Sequence, residues 1–171
     1  MLEAALLVVF PMLVAFGGAS DLLTMTIQNR VSILLIAGFA ILSLSTGLPL
    51  EAWGMHALGP LVVFPFCFVC WYFRWMGGGD AKFLTAISLW IGFTPELMAF
   101  SLLASLYGMF LTIGLLYMRN MVVLPDTLAR QEWLAKLHDQ RSGIPYGITI
   151  AIAGLQVYPM TSWFKMVAQA Y

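Results

Sequence analysis

Long apolar runs alternate with short polar links along the whole sequence. A helix needs about 20 mostly apolar residues to cross an average bilayer, and several of the runs approach that length. Only 9% of the residues are charged, whereas a soluble domain is typically about 25% charged. The pattern predicts an all-α integral membrane protein with a single membrane-embedded domain over residues 1–171. Six transmembrane helices are expected at about 4–20, 31–48, 57–75, 81 up to Pro95, 97–118 and 144–160.

The fourth apolar run is short, because its strictly apolar part covers only 83–93. Its helix could include Asp80 and Lys82 in the first turns, or the bilayer could be thinner at this point. A re-entrant hairpin is the competing interpretation. The positions of the basic residues help to decide between these arrangements.

When the links are assigned alternately to the two sides, seven of the eight basic residues fall on one side: Arg30, Arg74, Lys82, Arg119, Arg130, Lys136 and Arg141. Lys165 falls on the other side. Because Lys and Arg are retained on the cytoplasmic side, we expect six spans with both termini on the non-cytoplasmic side. A five-span arrangement would place the charged loop at 119–143 on the wrong side.

The loop at 119–143 is expected to be cytoplasmic and to contain an amphipathic helix. Asp126 is a suitable N-cap after Pro125. Apolar residues then recur every four positions, at Ala129, Trp133 and Leu137. The helix is interpreted either as a surface connection between spans five and six or as a substrate gate.

Cys67 and Cys70 form a C-x-x-C pattern inside span three. A closed metal site needs thiolates and further ligands, so the pair is interpreted as two packing residues one helical turn apart. No metal and no cofactor is expected. Because the net charge is zero and basic residues are few, no nucleic-acid partner is expected either.

Two carboxylates stand where apolar runs meet polar links on the predicted cytoplasmic side. Asp21 closes span one, and Asp80 opens span four 59 positions later. Ionisable residues at such places are costly and need a reason to be there. Two aspartates can hydrolyse a peptide bond, because the ionised one takes a proton from a water while the protonated one supports the carbonyl oxygen. For either aspartate alone, an interfacial helix cap is the simpler interpretation.

Three glycines precede Asp80. Gly77, Gly78 and Gly79 let the backbone leave helical geometry and let an extended strand approach, although a flexible turn between two spans would also use them. Lys82 is either a positive charge beside Asp80 or an anchor at the membrane interface. The paired aspartates beside the glycines indicate a catalytic site rather than two separate caps.

The G-G-G-D-A-K run at 77–82 resembles the G-x-G-D-x-K motif of the type IV prepilin peptidases, which are GxGD intramembrane aspartic proteases. Asp21 followed by the Q-N-R run at 28–30 is similar to their first-aspartate motif, although Gln28 stands where the link commonly has proline. The P-Y-G run at 145–147 is similar to a proline–glycine element near the C-terminus of the family. The resemblance covers the whole chain, including its length and the number of spans.

The resemblance implies an aspartic endopeptidase that removes the charged leader peptide of type IV prepilins at the cytoplasmic face of the cell inner membrane. The substrate would present its leader and the apolar helix that follows. Asp21 and Asp80 would be catalytic, and the supporting or substrate-binding residues would be Asn29, Gly77, Gly78, Gly79 and Lys82. Since no cytosolic domain with paired C-x-x-C motifs is recognised, the chain is most similar to the short peptidases of Flp-type (tight-adherence) pili. N-methyltransferase activity is not expected.

Three alternatives stay open at this point. Archaeal preflagellin peptidases resemble the chain almost as well. A small transporter or channel subunit could use Asp21 and Asp80 as an ion relay, although relay carboxylates usually lie near the bilayer midplane. A non-enzymatic assembly subunit of a secretion machine would tolerate the loss of both carboxylates.

Overall fold

The computed structural model describes residues 2–122, 125 and 130–168. Within these ranges the chain is helical and contains no strand, which confirms the predicted all-α class. A short 3-10 turn covers Tyr158–Met160. The helices, in chain order, are α1 Leu2–Thr24, α2 Asn29–Ser45, α3 Leu50–Tyr72, α4 Gly78–Ile91, α5 Pro95–Met121, α6 Glu132–His138, α7 Tyr146–Val157 and α8 Ser162–Ala168.

Three of the described helices, α1, α3 and α5, are long and apolar enough to cross a membrane. Helix α2 is apolar but shorter, with 17 residues. Helices α4 and α7 have 14 and 12 residues, which at 1.5 Å per residue makes them roughly 21 and 18 Å long, against about 30 Å of hydrocarbon. The chain therefore has the helices of a membrane protein. The count of six spans and the side on which the termini lie stay predictions.

The helix boundaries near α4 follow from local backbone chemistry. Gly92 ends α4 with a φ of 78°, a conformation that glycine adopts without a steric penalty. Pro95 then begins α5, where its fixed φ suits the first turn and its missing N–H is not needed. At the other end, α4 includes Asp80 and Lys82 in its first turns, as one interpretation of the sequence expected.

Helix α7 lies against α1 and α5 and also contacts α4, while α4 packs on α3 and α2. A fully buried aromatic cluster joins these layers. The ring of Trp90 is tilted against that of Phe10 and meets that of Phe39 edge to face, and its indole N–H donates to the carbonyl of Leu35 at 2.9 Å. Buried tryptophan is stable in such a core because its one polar group finds an acceptor.

The described residues 162–168 follow the sixth expected span. They form α8, and Trp163 inserts into the aromatic cluster with no exposed surface. Its indole N–H donates to the carbonyl of Trp90 at 2.9 Å. The physical reason is that a large apolar ring with one donor gains more from this position than from solvent or lipid.

Helices α3 and α4 approach each other closely at Gly59. A Cβ atom at this position would lie 2.5 Å from the carbonyl oxygen of Ser88. Small residues allow such close backbone approach between helices in membranes. One turn earlier on α3, the buried His56 places Nδ1 2.9 Å from the carbonyl oxygen of Leu89, so the two helices are also joined by a hydrogen bond.

The cytoplasmic loop predicted at 119–143 begins later than expected, because helix α5 continues to Met121. Among the described residues of the loop there is one helix, α6, which begins at Glu132. Helix α6 contacts α5 and α1. The helix start expected at Asp126, and Ala129 with it, lie outside the described residues.

Candidate active site

Asp21 lies in the last turn of α1 and is only 5% exposed. Its Oδ2 accepts a hydrogen bond from the backbone N–H of Gly147 at 2.7 Å. Gly147 is in the first turn of α7, where backbone N–H groups have no partner within their own helix. The carboxyl of Asp21 therefore caps α7 from a position 126 residues away in sequence.

Gly147 has no room for a side chain. A Cβ atom there would lie 2.6 Å from Cδ1 of Ile27 and 2.8 Å from both Cβ and Oδ2 of Asp21. The close approach of α7 to the end of α1 thus depends on glycine. Gly147 fixes where the carboxyl of Asp21 stands, both by its N–H group and by its lack of a side chain.

Asp80 lies in the first turn of α4 and is 9% exposed. Gly77 precedes the helix with extended backbone angles, and a Cβ atom on it would lie 2.8 Å from Oδ2 of Asp80. Gly78 and Gly79 are already helical. Of the three glycines, only Gly77 has non-helical backbone angles, whereas Asp80 is held on a regular helix.

Asp21 and Asp80 line the same cavity, which has a volume of about 460 Å³. Gly77 and Gly78 also line it, together with the end of α3 and the start of α7. The cavity is bounded by one wall at Trp71, Arg74 and Trp75 and by another at Gly143–Tyr146. Two acidic groups that are remote in sequence therefore meet at one opening.

Helix α3 ends at this cavity in an unusual way. The N–H of Trp75 donates to the carbonyl of Cys70 at 2.8 Å, and the N–H of Arg74 donates to that of Trp71 at 2.9 Å. This is the Schellman pattern, in which the left-handed position is most often glycine. Here the position is Arg74, with a φ of 60°, and this basic residue is part of the cavity lining.

Three of the residues expected to support the site, Gly79, Lys82 and Asn29, do not line the cavity. Nζ of Lys82 donates to Oδ1 of Asn29 at 3.0 Å, and both side chains are exposed. This bond ties the start of α4 to the start of α2. Gly79 packs against Ile27, whose carbonyl oxygen would lie 3.5 Å from an added Cβ. The three residues thus join α4, which carries Asp80, to α2 and to the link between α1 and α2.

Arg119, near the end of α5, had only been counted as a cytoplasmic charge. It is 8% exposed, and its guanidinium donates to three carbonyls: Leu137 at 2.8 Å, Ser142 at 3.2 Å and Gly143 at 2.9 Å. Gly143 belongs to the cavity wall. A single buried side chain therefore fixes the loop that closes one side of the aspartate cavity.

Sequence reasoning also missed Gly147 as a partner of Asp21. The P-Y-G run at 145–147 had been noticed only as a resemblance, without a role. For Arg119 no signal in the sequence distinguishes it from the other cytoplasmic basic residues. Its burial is visible only once α5 and the loop at 137–143 are packed together.

The arrangement defines a class of protein: a helical membrane protein that holds two buried carboxylates in one cavity at helix ends. Such a pair can take up, hold and return a proton next to a bound molecule. The chain belongs to the type IV leader peptidase family, whose family model matches residues 7–113. That range includes both aspartates and the glycines before Asp80.

A relative supports the same assignment. The prepilin leader peptidase/N-methyltransferase of Aeromonas hydrophila is 38% identical to this chain over 79 residues. The aligned part is 46% of this chain and 21% of that protein, so the match spans about a fifth of the relative's length. No solved structure matches the chain.

Proposed function

We propose that this protein is a prepilin leader peptidase of the aspartic type, with Asp21 and Asp80 as the catalytic residues. The observation that carries the proposal is the meeting of these two buried carboxylates in one cavity of about 460 Å³. Membership of the type IV leader peptidase family supports the reaction class. The proposal covers the peptidase alone and does not extend to N-methylation.

The chemistry follows from the charge of the pair. Two carboxylates that share a cavity repel each other when both are ionised, so together they retain one proton. The ionised member takes a proton from a water, whose oxygen attacks the carbonyl carbon of the peptide bond. The protonated member gives its proton to the carbonyl oxygen. When the tetrahedral intermediate collapses, the C–N bond breaks, a proton passes to the leaving nitrogen, and the pair again holds one proton.

The surrounding residues have supporting roles in this scheme. The N–H of Gly147 fixes the rotamer of Asp21, and the regular first turn of α4 fixes that of Asp80. Since Gly77 and Gly78 carry no side chains, an extended substrate strand can lie close to the cavity lining. The bond between Lys82 and Asn29 keeps the starts of α4 and α2 together.

The proposed orientation follows from the positions of the basic residues, and the proposed substrate follows from the resemblance to the short peptidases of Flp-type pili. The cavity faces the cytoplasmic side of the inner membrane, and the protein is multi-pass with both termini on the opposite side. The substrate is a Flp-type prepilin, whose leader enters the cavity from the cytoplasm while its apolar helix lies in the bilayer. Cleavage separates the leader from the apolar helix at the membrane surface.

Co-expression with a Flp-type prepilin tests the proposal. The wild-type protein is expected to yield the shortened pilin, detected by its mass and its new N-terminus. Asp21→Asn and Asp80→Asn are each expected to leave the precursor intact, because the amide can neither accept the proton of the water nor hold the shared one. Glu51→Gln is the matched control, since Glu51 is an exposed acid at the start of α3.

Equal membrane levels of all four proteins must be verified by immunoblotting. Full cleavage by either Asp→Asn variant would rule out the proposed chemistry. If the wild-type protein cleaves an archaeal preflagellin but no Flp-type prepilin, the peptidase is retained and the substrate assignment is wrong.

A further inference from the structure

A second cavity lies between α3 and α5, and we call it the apolar groove. It has a volume of about 590 Å³ and is lined by Val62 and Phe66 of α3, by Ser105 and Gly108 of α5, and by residues of α4 and α7. On α5 the lining runs from Ser101 to Ile113. At 1.5 Å per residue this is roughly 18 Å, or about three helical turns.

Among the residues that the structure describes, the lining of the apolar groove has no charged side chain. Its serine and threonine hydroxyl groups already donate to backbone carbonyls of their own helices. Those of Ser101, Ser105 and Thr112 donate to carbonyls four residues earlier in α5, at 2.7 to 2.9 Å. The groove therefore offers apolar contact and few free hydrogen-bonding groups, which suits a segment that satisfies its own backbone, namely a helix.

The face that α5 presents to the groove is made of small residues. Ser101, Ala104, Ser105 and Gly108 recur at intervals of three and four positions. Such faces let the backbone of a second helix approach closely in a membrane. Around this face, Phe66 and Met109 supply larger apolar side chains. The groove thus has the shape and the chemistry of one half of a helix–helix interface.

The apolar groove continues into the aspartate cavity. Trp75, Met76 and Tyr146 line both. At the junction the hydroxyl of Tyr146 lies 3.1 Å from that of Thr112. A chain that leaves the aspartate cavity past these residues enters the groove directly. This continuity distinguishes the groove from a surface that would only contact lipid.

We propose that the apolar groove binds an apolar helical segment of the substrate, located next to the peptide bond that is cleaved. The inference rests on the proposed peptidase function and adds a second binding site to it. A segment of about 12 apolar residues would fill the groove while the scissile bond stands between the aspartates. Affinity would then come mainly from the groove, and the chemical step from the aspartate cavity.

The first test fills the groove. Ser105→Trp puts a large ring into it, whereas Leu106→Trp, one position further on α5, puts the same ring outside the lining. In vesicles of phosphatidylethanolamine and phosphatidylglycerol, Ser105→Trp is expected to raise KM for a full precursor about tenfold or more. It should not change kcat/KM for a soluble peptide that spans the cleavage site but ends before the apolar segment. Leu106→Trp should change neither value.

The second test does not depend on turnover. A photo-activatable phenylalanine analogue is introduced at Ser105 or at Leu106 in the Asp80→Asn background, and the full precursor is added to the vesicles. A precursor cross-link from position 105 and none from position 106 supports the inference. Cross-links to lipid only, or equal yields from both positions, overturn it, as does an unchanged KM for the precursor in Ser105→Trp.

The results separate the two claims. If position 105 cross-links to the precursor but the wild-type protein cleaves nothing, the groove binds the segment and the proposed peptidase is wrong. If the wild-type protein cleaves and Ser105→Trp affects both substrates equally, the peptidase is retained and the groove is not a substrate site.

Discussion

At the scale of single residues, the position of Asp21 depends on a glycine rather than on another charge. Gly147 donates its N–H to Oδ2 of Asp21 at 2.7 Å, and its missing side chain leaves the space that the carboxyl occupies. Backbone donors at the start of a helix are good partners for an acidic group. The first of the two acids is therefore oriented by α7, which contains no Asp, Glu, Lys, Arg or His.

Gly147→Ala is accordingly expected to reduce kcat for precursor cleavage by about a hundredfold, because a shift of about 1 Å in a catalytic group has effects of that size. The added Cβ would lie 2.8 Å from Cβ of Asp21, so the carboxyl must move. Gly114→Ala is the control, since a Cβ at this exposed position in α5 meets no atom within 4 Å. A Gly147→Ala variant with wild-type kcat would show that Asp21 does not need this contact.

Arg74 is a second residue whose conformation calls for an explanation. It has a φ of 60° where a Schellman motif most often has glycine, and it belongs to the lining of the aspartate cavity. Backbone strain of this kind costs about 1 kcal/mol or more, and it often persists at functional sites. The left-handed backbone thus places a basic residue at the cavity.

Arg74→Gly should therefore separate stability from activity. We expect unchanged or slightly higher thermal stability in detergent, followed by circular dichroism, because glycine relieves the strain. We also expect a KM for the precursor that is several-fold higher, because a charge at the cavity is lost. If both the melting temperature and the kinetics stay unchanged, the side chain of Arg74 has no role at the site.

At the scale of helices, the packing of α3 on α4 sets the position of Asp80. The contact is tightest at Gly59, where a Cβ would lie 2.5 Å from a backbone oxygen of α4. A backbone atom cannot move aside as the end of a side chain can, so the two helices would have to separate. Because α4 also contacts α2 and α7, such a shift would be opposed by the rest of the bundle.

Gly59→Ala is expected to destabilise the fold by about 1–3 kcal/mol, the usual cost of overpacking a core. Gly54→Ala is a matched control in the same helix, because a Cβ there meets no atom within 4 Å. Thermal unfolding of both variants in the same detergent checks the difference. Equal melting temperatures would mean that α3 and α4 can separate at no cost.

At the scale of the whole molecule, the sequence predicts the helices better than it predicts their contacts. The apolar runs correspond to helices because, within a bilayer, a helix satisfies the backbone hydrogen bonds of an apolar run inside the run itself. Asp21 and Asp80 stand out in the sequence as candidate catalytic residues, because ionisable groups at the ends of such runs are costly. Each of these signals is local, and each was available from the chain alone.

The contacts that complete the site have no local signal. Gly147 lies 126 positions from Asp21, and Arg119 binds carbonyls 18 to 24 positions away. Trp163 donates to the carbonyl of Trp90, which is 73 positions distant. In each case the interaction forms only when the helices pack together. It therefore cannot be predicted from the periodicity or the composition of a single segment.

The joint action of Asp21 and Asp80 is tested most directly by kcat of the purified single and double Asp→Asn variants. Residues that act as a unit show strongly non-additive losses. We expect Asp21→Asn and Asp80→Asn each to reduce kcat about 10³-fold or more, and the double variant to be no slower than the slower single variant. Losses that multiply in the double variant, or a single variant that keeps wild-type kcat, would contradict a shared catalytic role.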